Sequence, residues 1–322
     1  MIILTSRVSR RSALALGAAL TIPGCGLARP RRERPIAVGV FSPGAPGSLA
    51  AVDRFAEQTG RRPAVVMWFQ SWAAGADFDA AGAAAVRAAG AVPMVSWEPW
   101  DPRPGADQAP YQPARIAAGA HDDRVRAWAR AAGDAGPLLV RFAHEMNGPW
   151  YPWGTDHSRP EDYVAAFRRV VDLLRDEAAS ARVVWAPNVA FPGSAPLRPL
   201  YPGDRYVDWV CVDGFNWGTS QPDQRWRSFD QIFRPTYREV LALAPTRRLM
   251  IETGCSEAGG DKAAWLGDAL EVQLPRAYPR VEALVWFDEN KETDWRIASS
   301  SDALAAFRRA VRAPTYVERL EP

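Results

Sequence analysis

Two glutamates define the chemistry open to this chain. Glu145 sits in Arg141-Phe142-Ala143-His144-Glu145-Met146-Asn147-Gly148-Pro149-Trp150-Tyr151-Pro152-Trp153-Gly154, just after the apolar run from Pro137 to Val140. Glu252 sits in Leu249-Met250-Ile251-Glu252-Thr253-Gly254, again at the end of an apolar run. A buried strand that breaks into a Gly/Pro-rich loop is where a rigid scaffold usually presents reactive groups. Two carboxyls facing each other across a cleft suit cleavage of a glycosidic bond. One protonates the leaving oxygen, and the other attacks or activates water. The pair must differ in protonation at the working pH. A tryptophan-lined site holds one carboxyl neutral by desolvation, while hydrogen-bond donors keep the other ionised.

The neighbours fit that task. Arg141 is four residues before Glu145, so on a continued strand both side chains point the same way. A cation there keeps Glu252 ionised. His144 is placed to bond a substrate hydroxyl or to orient a carboxylate. Sugar rings present flat CH faces, and indole rings match them. The chain has 14 Trp. Trp150, Tyr151, Trp153, Trp217 and Trp286 are the expected platforms, whereas Trp68, Trp128, Trp185 and Trp265 read as core. Asn147, Asn188 and Asn216 lie at or just beyond strand ends and complete the expected substrate-binding set. Glu257 is a rival carboxylate placed in a solvent loop.

These residues need a frame that brings strand ends together. Eight short apolar runs recur: 36–41, 64–69, 92–100, 138–147, 182–188, 207–217, 249–255 and 281–289. Helix-like segments fall between them, at 49–59, 78–89, 125–132, 160–179, 229–243 and 262–272, and a last one closes the chain at 301–312. Apolar residues at three- and four-residue spacing from Asp162 to Leu174 mark a helix with one face on a core. Near-continuously apolar strands alternating with such helices indicate a parallel sheet covered on its faces. Eight strands fit a closed (β/α)8 barrel over 36–315, a single domain of the usual size of about 250 residues or more. An open doubly wound sheet is the rival, but no glycine-rich phosphate loop follows the first strand. Polar or Trp residues occupy six strand ends: Trp97/Glu98, His144/Glu145, Asn188, Asp213/Asn216/Trp217, Glu252 and Trp286/Asp288/Glu289. In a barrel these ends converge on one face.

Residues 1–35 read as an export leader and linker. Ser9-Arg10-Arg11-Ser12-Ala13-Leu14 is twin-arginine-like, and the apolar run to Ile22 is too short for a spanning helix. Ile22-Pro23-Gly24-Cys25 resembles a lipoprotein processing site, although Pro23 departs from the usual residue; the two expectations are a lipid anchor at Cys25, the one membrane contact among them, and plain signal cleavage a little later. The formal charge is +2, with 39 basic and 37 acidic side chains. Residues 1–34 hold seven Arg and one Glu, so the rest has 39 − 7 = 32 basic and 37 − 1 = 36 acidic groups, a balance of −4. Such a balance excludes a protein that wraps nucleic acid on a basic surface. Cys211 and Cys255 are expected as buried free thiols. No Cys/His spacing suits zinc, and neither metal nor cofactor is expected.

The run from Arg141 to Gly154 resembles the signature of glycoside hydrolase family 26, chiefly β-mannanases. The resemblance extends to Ile251-Glu252-Thr253-Gly254 and to Val285-Trp286-Phe287-Asp288-Glu289-Asn290-Lys291, with Asp294-Trp295-Arg296 beyond. It implies a retaining (β/α)8 enzyme with Glu145 as acid/base and Glu252 as nucleophile. His144 and Trp286 would then help form the sugar site nearest the cleaved bond. The expected ligand is a β-linked polysaccharide, mannan first, and the expected state a monomer. One segment departs from the pattern. Many mannanases of the family carry a tyrosine after strand six that bonds the nucleophile, and Phe215 here has no hydroxyl. Asp213-Gly214-Phe215-Asn216-Trp217-Gly218 is more similar to the mixed-linkage β-glucanase branch. A barrel that binds polysaccharide without turnover is the reading from another class.

Overall fold

The computed structural model describes residues 34–75 and 77–321. Eight parallel strands run β1 (Ile36–Phe41), β2 (Val65–Ser71), β3 (Val92–Glu98), β4 (Leu138–Phe142), β5 (Ala181–Trp185), β6 (Trp209–Asn216), β7 (Arg248–Cys255) and β8 (Val281–Phe287). Each pairs with the next, and β1 pairs with both β8 and β2, so the sheet closes. A two-residue strand, β9 (Tyr316–Val317), joins the lower end of β1 and carries the fold past the expected limit at 315. The helices are α1 (Ala50–Thr59), α2 (Ala80–Ala88), α3 (Pro113–Ala117), α4 (Asp122–Ala135), α5 (Pro160–Glu177), α6 (Phe229–Leu243), α7 (Lys262–Gly267), α8 (Leu274–Ala277) and α9 (Ser301–Val311). The last helical segment before β8 is interrupted by a π turn over Asp268–Gln273 instead of continuing as one α-helix. None of the helices among the described residues is long and apolar enough to cross a membrane. The leader, the Arg10-Arg11 pair and Cys25 lie outside the described residues.

Strand parity sorts the core into two layers, because successive side chains of a strand point to opposite faces. The inner layer fills the barrel with Ala37, Met67, Met94, Leu139, Cys211, Met250, Ala283 and Val285. The outer layer meets the helices with Val38, Val66, Val95, Val140, Val183, Val212, Ile251 and Leu284. The same parity decides which polar residues face inward. Ser96 and Glu98 follow Met94, Arg141 follows Leu139, Asp213 follows Cys211, and Glu252 follows Met250. Register then sets their heights. Ser96 is level with Arg141, and Asp213 with Glu252.

Candidate active site

Glu252 belongs to the rigid half of the site. It sits within β7, and its neighbours in β6 and β8 are paired on both sides. Arg141 Nη1 donates to Glu252 Oε2 and, at 2.9 Å, to Asp213 Oδ2, while Arg141 Nε donates to Ser96 Oγ at 2.7 Å. All four residues are buried. One guanidinium therefore serves two carboxyls. Burial pushes Asp213 well above the ordinary carboxylate range, with Arg141 opposing and the charge of Glu252 adding to the push. Burial also raises Glu252, and there Arg141 opposes it both as a charge and as a donor. A proton held on Asp213 leaves Arg141 and Glu252 as a neutral buried pair, the form with the smaller desolvation cost. Cys211 Sγ, 3.0 Å from Asp213 Oδ1, completes the cluster. Cys211 and Cys255 are buried free thiols, as expected.

Glu145 belongs to the strained half. β4 stops at Phe142, and Ala143 and Glu145 take left-handed backbone angles, φ 47° and 53°. Non-glycine residues there cost roughly 1–2 kcal/mol each, and such strain gathers at functional sites. Surrounding bonds hold the turn. Glu145 N donates to Ala186 O at 2.6 Å, Ala143 N to Trp97 O at 3.2 Å, and Trp153 Nε1 to His144 O at 2.6 Å. Arg141 and Glu145 therefore do not lie on one continued strand as expected, although both reach the cleft. The turn, and not the pleat, aims Glu145. Two neutral donors meet its carboxyl: Asn188 Nδ2 at Oε1 and Trp150 Nε1 at Oε2, each 2.8 Å away. Gly148 makes the second contact possible. A Cβ on Gly148 would lie 2.4 Å from the Trp150 ring, so only glycine lets that indole fold back over its own loop. Burial raises the Glu145 carboxyl, and the charge of Glu252 raises it further, against the two donors.

A cleft of about 1100 Å³ joins the two halves. Arg141, His144, Trp150, Asn188 and Trp217 of the expected set line it, with both glutamates. Phe215 lines it too, and the donor that meets Glu252 is Arg141. His144 is kept neutral by burial and by the charge of Arg141, and its Nε2 lies 3.0 Å from the Tyr151 hydroxyl.

Four expected binding residues are not on the cleft wall. Trp286 is on the outer parity of β8, fully buried, with its ring 5.3 Å from Phe307 of α9 and its Nε1 donating to Trp295 O. The inward neighbour Phe287 and the loop residue Trp295 line the cleft in its place. Trp153 is buried behind Tyr151, stacked at 4.4 Å and 10°. Asn147 is buried and holds the backbone of Asn188 by two 2.9 Å bonds, so it positions the partner of Glu145. Asn216 is buried and accepts from Gly218 N and Arg227 N, which pins the loop after β6. Glu257 accepts from Ser299 and lies off the cleft.

Several cleft residues are absent from the expected set. Glu98, on the inward parity at the end of β3, is pushed up to about 7 by burial. Trp100, Phe191, Lys291 and Trp295 add to the wall. Parity from Met94 would have found Glu98. The loop residues carry no periodic signal. Among the described residues no cluster of His, Cys, Asp and Glu is arranged to hold a metal.

Similarity to known proteins follows the same lines. A family model described as glycosyl hydrolase family 26 matches residues 116–267. Endoglucanase H of Acetivibrio thermocellus is 38% identical over 276 residues, covering 83% of this chain and 29% of that protein. A mannan endo-1,4-beta-mannosidase of Bifidobacterium adolescentis is 33% identical over 97 residues, 29% of this chain and 10% of that protein. The chain thus spans less than a third of either relative. The catalytic domain of the Bacillus sp. JAMB-750 GH26 endo-beta-1,4-mannanase superposes with a TM-score of 0.68 at 18% identity, covering 89% of this chain and 88% of that one. The modular endo-beta-1,4-mannanase of Cellulomonas fimi gives 0.68 at 19% identity, covering 88% and 72%. With its eight-stranded barrel and its paired carboxyls at the strand ends, the chain belongs to glycosyl hydrolase family 26.

Proposed function

We propose that the protein is an endo-β-1,4-glycanase working by double displacement. The observation that carries this reading is the contrast in partners. Glu252 is tied to a buried cation, and Glu145 is held by two neutral donors in the same cleft. Arg141 occupies Glu252 Oε2, which leaves Oε1 to attack the anomeric carbon. As the glycosidic bond breaks, Glu145 gives its proton to the departing oxygen. Glu145, now ionised, takes a proton from water, and that oxygen displaces Glu252 from the anomeric carbon. Each step balances without a cofactor. Trp150 and Trp217 offer ring faces to the sugar, and His144 offers a neutral ring nitrogen to a hydroxyl.

The backbone we propose first is a β-glucan with 1,4 linkages. The support is the similarity to an endoglucanase over most of the chain, together with Phe215 where many mannanases carry tyrosine. β-Mannan is the second reading, supported by the mannanase relatives. Export by the twin-arginine route, with lipidation at Cys25 as a variant of it, rests on the leader motif of the sequence.

The test is to incubate the purified protein with lichenan, mannan, xylan and cellulose and follow the first-formed anomer by proton NMR. Cleavage of lichenan or mannan with retention is expected. An inverted product would sink double displacement. Binding without hydrolysis of any polymer would sink the enzyme reading.

A further inference from the structure

The loop between β6 and α6 carries two cations that no step above uses. Arg225 and Arg227 both line the cleft. They flank Trp226 in a segment with no helical bonds, and Trp226 packs on Gly260, where a Cβ would lie 2.3 Å from its ring. Trp226 is turned to Gly218 and Gly260, while Arg225 and Arg227 on either side of it line the cleft. The backbone beneath them is fixed. Arg227 N donates to Asn216 Oδ1 at 3.2 Å, Trp265 Nε1 donates to Arg227 O at 2.9 Å, and Ser228 starts α6 with a capping box.

Neither guanidinium has an acid of its own. Of the cations on the cleft wall, Arg141 and Lys291 each meet a carboxylate, whereas Arg225 and Arg227 form no ion pair with any of the described residues. Glu252 and Glu292 on the same wall are paired with Arg141 and Lys291, and Asp223 pairs with neither arginine. Arg227 is half-buried, and its charge is disfavoured first by burial and then by Arg225 beside it. Two like charges on a pinned loop, one partly desolvated, are costly unless an anion arrives. The fork of a guanidinium matches a carboxylate in a bidentate pair.

We infer that Arg225 and Arg227 form a subsite for a carboxylate carried by the polysaccharide, so the cleft takes an acidic β-glycan in which some sugars bear a carboxyl group. This inference rests on the glycanase reading and narrows its substrate. Gln224, also on the wall, offers an amide to a neighbouring hydroxyl.

The probe is a soluble β-1,4-glucan oligosaccharide series, neutral or oxidised at C6 to the carboxylate. Affinity for both is measured by calorimetry on the full-chain Glu145→Gln variant, and kcat/KM on the wild type. The oxidised-to-neutral affinity ratio is expected to be roughly tenfold or more at low salt, the scale of charge-assisted bonds. It should shrink toward one in high salt, as exposed charges are screened. Arg225→Gln/Arg227→Gln should bring the ratio to about one, and Arg225→Lys/Arg227→Lys should keep a part of it. The salt titration on the unaltered loop decides the matter should the double variant fold poorly. Hydrolysis of the neutral series with a ratio at or below one would overturn the subsite and leave the glycanase standing. Absence of binding and of hydrolysis on both series would overturn the two together.

Discussion

The two glutamates stand at one cleft but are built in opposite ways. Glu252 is a strand residue. Its position follows from pleat and register, its partner is a cation, and it is buried among its partners while still lining the cleft. Glu145 is a turn residue. Its position follows from two left-handed residues, its partners are neutral, and one of them, Trp150, is among the few exposed large apolar side chains. A carboxyl that must stay ionised needs an opposite charge that does not move. A carboxyl that must gain and lose a proton needs donors that tolerate both forms and a pKa lifted by burial. On the double-displacement proposal, the difference in scaffold serves the different protonation the two carboxyls need, Arg141 opposing at Glu252 the rise that burial imposes on both.

The largest effect that tests this comparison comes from removing each glutamate. Glu252→Ala is expected to lower kcat on the order of 10⁴–10⁶-fold on every substrate, as loss of a nucleophile does. Glu145→Ala should cost roughly 10²–10⁴-fold on polysaccharide. It should cost far less on an aryl glycoside whose leaving group needs no proton. Equal losses by Glu145→Ala on both substrates would break the assignment of the acid.

A smaller but more pointed effect is expected from Arg141→Met. Two buried carboxyls then lose their cation, and leaving a buried charge uncompensated costs about 3–5 kcal/mol of stability. The sign of the pH effect follows from the cause. Arg141 is the influence that lowers Glu252 against burial, so without it the Glu252 pKa rises. The acid limb of kcat/KM must then move to higher pH, and the variant must lose more activity at pH 5 than at pH 8. The alkaline limb belongs to Glu145, whose raised pKa keeps it protonated above the ordinary carboxylate range. An unmoved acid limb would show that Arg141 holds the fold and not the charge of Glu252.

The smallest effect on activity separates two tryptophans that look alike in sequence. Trp286→Ala should cost about 3–5 kcal/mol of stability, the scale of a large-to-small core change, seen as a lower Tm with an unaltered KM. Trp217→Ala, half-buried on the cleft wall against Trp295, should raise KM several-fold and lower Tm less than Trp286→Ala does. A raised KM for Trp286→Ala at a temperature well below its Tm would return that residue to the sugar site.

The reach of sequence reading shows in those same residues. The alternation of strands and helices, the eight strand ends and the polar residues gathered there are legible, because they depend on local periodicity. Glu145, Glu252, Arg141 and His144 are legible because polar groups interrupt apolar strands. Trp286 and Trp153 escape such reading for different reasons. Trp286 is one residue from Phe287, and a single step along a strand reverses the face it shows. Trp153 belongs to a loop folded back on itself, where spacing says nothing about direction. Glu98 is visible at its strand end, but only parity with Met94 turns it into the cleft.

The amino-acid order by itself pointed to the barrel and to Glu145 and Glu252 as the candidate carboxyls, since hydrophobic period and strand ends are properties of short segments. Tertiary structure alone decided that Arg141 bridges Asp213 and Glu252, that a left-handed turn aims Glu145, and that Arg225 and Arg227 meet no acid among the described residues. Those facts depend on register between distant strands and on backbone sign reversals, and neither leaves a mark in a window of neighbouring residues.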